Sequence, residues 1–260
     1  MGMYINKREG VLLAVILLMS AVLIFPSNVF SAGTIKLNKN AVLNITQADS
    51  ESKGGGPLLR PQGFVLQAPN VAYVDKSTNT LKAAATVAIG RIKYWAKLST
   101  QFTVARGDNS EIYGKARVTV YSGHYKGGLA TGFGLSGANV SLHMNVADLQ
   151  KDTDEGTYIL LDQVVGIGVK KFDKNFENSI ELTVIAGRTY NVDLELETEA
   201  SGADLSAMIQ SDFYSDKIET VKQGTNQPIT ETVSYGVKYQ GIKVTIIESA
   251  PPASGPGRYR

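Results

Sequence analysis

Three carboxylates spaced two apart are the residues of this chain best arranged for chemistry. Asp193, Glu195 and Glu197 alternate with Tyr190, Val192, Leu194 and Leu196. On an extended strand, side chains at i and i+2 share a face about 6.5 to 7 Å apart. Glycosidases hold an acid and a second carboxylate across the sugar at roughly 5–10 Å, so the spacing permits that reaction. Alternating charge is also how a sheet keeps a wet face soluble. Nothing in the sequence raises one of the three above the others, so no catalytic residue is assigned. A glycosidase- or lyase-like carbohydrate-active enzyme working through the acidic strand 193–197 stands as the alternative reading.

A second acidic group, Asp152-Thr153-Asp154-Glu155-Gly156, places carboxylates before a turn-forming glycine. Hard cations want several oxygen ligands on a sharply turning loop, which makes Asp152, Asp154 and Glu155 the candidate Ca2+ ligands. The loop is not an EF-hand, because Gln163 stands where its distal carboxylate belongs. Aromatic side chains offer a third chemistry, since a flat ring covers the apolar face of a pyranose. Tyr94, Trp95, Tyr121, His124 and Tyr125 are the candidates for a sugar platform. Adjacent Tyr94 and Trp95 must point to opposite faces of a strand, one toward the core and one outward.

Other patterns carry less. Gly132-Phe133-Gly134-Leu135-Ser136-Gly137 spells a dinucleotide fingerprint, but a strand-like segment follows it where the motif needs a helix. With two histidines, His124 and His143, and no G-x-S-x-G elbow, a nucleophilic triad lacks its frame. The absence of cysteine excludes disulfides, thiol nucleophiles and Cys-ligated metals. Arg106-Gly107-Asp108 reads as an ordinary hairpin turn. Basic residues are scattered along the chain, which argues against nucleic acid as a partner.

The elements that must position these groups begin with an export signal. Lys7 and Arg8 precede an apolar run from Val11 to Phe25, Pro26 ends it, and Val29-Phe30-Ser31 supplies a small-residue cleavage motif. This is the layout of a secretory signal peptide over 1–32, cut after Ser31 or Ala32. The run is short for a bilayer span of roughly 20 residues, so cleavage is expected in preference to anchoring. The mature protein is then secreted, at the cell surface or in the periplasm, with no membrane insertion. Export without cysteine has the general character of a bacterial domain held together by its core alone.

Residues 33–62 read as a flexible lead-in in which Val42–Ile45 could dock as a strand, and 249–260 as a Pro- and Gly-rich disordered tail. Between them, 63–248 is a succession of β-branched and aromatic runs separated by Gly, Asp, Asn and Ser. The expected fold is an all-β antiparallel sandwich of the jelly-roll kind with about 8–10 strands and little helix. Gly202 to Gln210 is the one segment that could be helical. The formal net charge of +2 is misleading, because 63–248 holds 18 basic and 21 acidic residues and the excess cations lie at the ends. The functional expectation is a non-catalytic exported module with a binding or structural role. Its partners would be polysaccharide or a cell-surface component. Self-assembly, with the lead-in donated as a strand to an exposed edge, is a further alternative.

Overall fold

The computed structural model describes residues 32–48, 53–55, 70–132, 134–151, 153–203, 208–221 and 229–251. The signal segment up to Ser31 lies outside the described residues, as do Phe64–Leu66 and the tail beyond 251.

Gly90 shows how the sandwich is made. The stretch Ala83–Ala105 reads as one strand, yet it bends at Ala88–Gly90, where Gly90 takes a φ of 105°, and passes from one sheet into the other. Among the described residues the regular structure is all strand, with no helix. In chain order the strands are β1 (Thr34–Lys36), β2 (Val42–Ile45), β3 (Lys53–Gly55), β4 (Val71–Asp75) and β5 (Thr80–Val87). Then follow β6 (Ile89–Ala105), β7 (Tyr113–Thr131), β8 (Ser136–Asp148), β9 (Thr153–Val165) and β10 (Gly168–Ile185). The last are β11 (Thr189–Ala203), β12 (Ile209–Phe213), β13 (Asp216–Val221), β14 (Ile229–Ser234), β15 (Gly236–Lys238) and β16 (Gly241–Ala250).

Eight of them form two facing antiparallel arrays, β6-β11-β8-β9 and β5-β12-β7-β10. From β5 to β12 every connection crosses between the arrays except the β8–β9 hairpin. That is jelly-roll connectivity, which closes a sandwich with few exposed edges. The shorter strands extend these arrays, with β15 and β16 beside β7 and β2 on the far side of β16. β13 and β14 make a separate two-stranded ribbon. In the segment once open to a helical reading, β11 runs through Ala203 and β12 starts at Ile209, with 204–207 outside the described residues.

Period-two alternation builds the core. Tyr190, Val192, Leu194 and Leu196 of β11 are at most 1% exposed. They pack with Ile92, Leu98 and Phe102 of β6 against Val118, Val120 and Leu129 of β7. Phe102 and Tyr190 stack at 5.2 Å, and the Tyr190 hydroxyl accepts the Ile185 N–H at 2.9 Å. The early residues join this core too. β1 pairs in parallel with β6 and β2 pairs with β16, so Thr34–Ile45 crosses from one sheet to the other. Ile35 and Leu37 are buried on the way. Asp108 of the Arg-Gly-Asp turn holds this crossing through Lys36 at 3.1 Å and Asn38 at 2.9 Å.

Candidate functional site

The outer face of β6-β11-β8-β9 is assembled in cross-strand rows. Trp95, Glu197, Ser141 and Leu161 stand side by side in one row, each on a different strand. Lys97, Glu195, His143 and Tyr158 form the next, and Lys93, Glu199, Asn139 and Gln163 the row on the other side. Neighbouring strands lie about 4.8 Å apart, so each row spans roughly 14 Å.

The carboxylates of β11 are clamped by cations of β6. Lys97 meets Asp193 at 2.5 Å and Lys93 meets Glu197 at 2.5 Å. Arg91 grips Glu199 through two bonds of 2.6 and 2.9 Å, the bidentate geometry that guanidinium favours. Asp193 also accepts bonds from Ser99 at 2.6 Å and Asn191 at 2.7 Å. This acidic face is therefore much drier than alternation alone implies, with Asp193 8% and Glu199 7% exposed. Glu195 differs from the others. Among the described residues no cation forms an ion pair with it. Burial pushes its carboxyl above the ordinary value; Lys97 pulls the other way, while Glu197 and Asp193 add to the rise.

A bulge in β9 completes the face. Leu160 pairs with Leu142 and Tyr158 with His143, leaving Ile159 as an extra residue. In a regular strand 158 and 161 would lie on opposite faces. The extra residue changes the phase, and Tyr158 and Leu161 both turn outward, 58% and 68% exposed. Tyr158 leans on His143 with ring centroids 4.9 Å apart. A groove of about 500 Å³ results, lined by Asn139, Ser141, Tyr158, Leu161, Gln163 and Glu197 among others. Trp95 stands beside Glu197 in the same row.

The residues singled out from sequence are dispersed. Trp95 is half-buried on this outer face, whereas Tyr94 turns inward against the core, where burial raises its hydroxyl pKa. Tyr121 and His124 lie on the outer face of the other sheet. Tyr125 is turned the opposite way, 6% exposed, with its ring 5.9 Å from Phe176 and 6.5 Å from Phe172. His124 contacts Asp173 at 2.8 Å, and Lys126 reaches the same carboxylate at 2.9 Å. Of the cation candidates, Asp152 lies outside the described residues. Asp154 and Glu155 are consecutive on β9 and so face opposite ways. Among the described residues no group of three His, Asp or Glu side chains is gathered for a metal.

Sequence reasoning missed Tyr158, Leu161, Asn139, Ser141 and Gln163. It also missed the clamps, although Arg91, Lys93 and Lys97 carry the same two-residue period as the acids they meet.

No known protein-family profile matches the chain, and no curated protein matches it. Among solved structures it is similar to TmCBM61, described in complex with β-1,4-galactotriose. That likeness covers 51% of this chain and 67% of the other at 13% identity, with a TM-score of 0.20. No residue is carried across from it, and the sandwich assignment stands on the strand order.

Proposed function

We propose that the protein is an exported, non-catalytic binding module. Its polysaccharide ligand lies across the outer face of β6-β11-β8-β9. The observation that carries this reading is the groove lined by Tyr158, Leu161 and Glu197, with Trp95 next to Glu197 in the same cross-strand row. Apolar surfaces flank a floor of amide, hydroxyl and carboxylate groups, a combination suited to a sugar chain with apolar ring faces and polar edges. Three of the four carboxylates on β11 are held by cations, so they bind and orient rather than exchange protons. A glycan array with and without calcium tests the reading. Retention of a glycan, weakened in Trp95→Ala and in Tyr158→Ala, supports it; retention of none overturns it. Sequencing the N-terminus of material recovered outside the cell tests export, with Ala32 or Gly33 expected first.

Glu195 gives the enzyme reading its support. A half-buried carboxyl with a raised pKa, flanked by carboxylates at two-residue spacing, has the properties of a general acid. Release of new reducing ends from a retained glycan, abolished by Glu195→Gln with binding intact, would establish that reading over the non-catalytic one.

A further inference from the structure

The second sheet carries a bulge that does for its outer face what Ile159 does for the first. In β7 Gly123 pairs with Phe176 and Val120 with Asn178 of β10, so Tyr121 and Ser122 together stand against Glu177. Ser122 has a φ of 51°, a left-handed conformation that crowds a Cβ against the following carbonyl. Bulges and strained residues gather where a fold re-aims side chains for use. Here the change of phase puts Tyr121 and His124 both outside and sends Tyr125 into the core. β7 also changes partner at this point, from β16 to β15.

Beside the bulge lies a groove of about 770 Å³. Its floor is a row formed by Asn44, Lys243, Thr119 and Ser179, one from each of β2, β16, β7 and β10. Tyr121 borders this row next to Gly241. A Cβ at position 241 would come within 2.9 Å of the Tyr121 hydroxyl and 2.5 Å of the Ile45 carbonyl, so only glycine leaves the ring its place. The lining is hydroxyl and amide, groups that both donate and accept. Its charges are mixed: Glu177 and Lys243 carry opposite signs, and Arg117 is spent on Glu181 at 2.9 and 2.5 Å. An anionic chain would meet Glu177, and a cationic one Lys243. A neutral, hydroxyl-rich ligand meets neither penalty, and one ring is present to cover a sugar face.

We propose that this groove is a second saccharide site, on the face of the sandwich opposite the first, so that one molecule holds two neutral glycan chains. The ligand class is argued from this groove's own lining and does not depend on the first site. The test uses the mature protein with soluble xyloglucan, galactan, dextran and polygalacturonate in affinity gels, then calorimetry with oligosaccharides of the retained polymer. Two sites per molecule are expected, falling to one in Tyr121→Ala and to one in Trp95→Ala, with none in the double variant. Asn44→Ala, an exposed change that leaves the core alone, should weaken the second site about tenfold. Wild type should cross-link and sediment the polymer, and both single variants should not.

A single site abolished by Trp95→Ala and untouched by Tyr121→Ala and Asn44→Ala overturns the proposal and keeps the first groove. A single site lost in Tyr121→Ala and Asn44→Ala alone keeps this groove as a saccharide site, removes the first groove and overturns the holding of two chains. Retention of polygalacturonate in place of the neutral polymers overturns the ligand class, and retention of no polymer overturns both sites.

Discussion

Leu37→Ala is the most demanding test of how the early residues contribute. Leu37 is fully buried between β1 and β2, and Ile35 is 2% exposed beside it. The backbone there is tied to both sheets, Leu37 N–H donating to Ala105 at 2.9 Å and Ile246 N–H to Ala41 at 2.9 Å. A fully enclosed leucine cut to alanine costs about 3–5 kcal/mol, because the lost transfer energy is joined by that of a cavity the frame cannot close. For a domain of this size each kcal/mol lowers Tm by roughly 2–4 °C, giving a fall of about 6–20 °C. The chain has one tryptophan, and Trp95 sits on β6, the strand that β1 pairs with. Its emission during urea unfolding therefore reports the affected sheet. Val42→Ala, on β2 and 49% exposed, is the control and should shift stability by less than about 0.5 kcal/mol. If Leu37→Ala and Val42→Ala move the midpoint equally, residues 33–48 are not part of the core and the packing described here is wrong.

Other outcomes follow from the site. Covering about 100 Å² of the Trp95 ring is worth about 2.5 kcal/mol, so Trp95→Ala should weaken glycan binding about 60-fold by calorimetry. Glu195 is raised above its ordinary value of 4.5. Its protonated form is favoured on folding, so that contribution is complete below the unfolded pKa and lost as pH rises through the folded one. Glu195→Gln should thus match wild type in Tm at about pH 4 and exceed it at about pH 8; equal values throughout would show that burial does not penalise the charge. Binding should persist in EDTA, since Asp154 and Glu155 face opposite ways on β9. Loss in EDTA that Asp154→Ala reproduces would instead place a cation there.

Much of this architecture is legible from local pattern. The alternation in Tyr190–Glu197 marks the central strand of a sheet, and the turn residues mark where strands end. What local pattern cannot carry is phase across a bulge. Ile159 and Ser122 look like any strand residues, yet each decides which neighbours face outward. Gly90 is visible as an interruption, but that the chain changes sheets there depends on which strands pair at a distance. The dryness of the acidic strand lies beyond local pattern for the same reason. Its cations lie about a hundred residues earlier, and pairing alone brings Arg91, Lys93 and Lys97 to it.

Ile159 has a consequence beyond the shape of the groove. β9 is the outermost strand of its sheet, thirteen residues long and with large apolar side chains exposed. A straight border of that length is a template on which a strand from another molecule can grow, and so a route to fibres. The extra residue spoils the template by breaking the even spacing of backbone donors and acceptors and twisting the border away. Deleting Ile159 would leave Leu160 opposite Leu142 and Tyr158 opposite His143 in an unbroken ladder, so the ring would still face outward while the border straightened, and protection from runaway polymerisation can be lost without losing the outward ring.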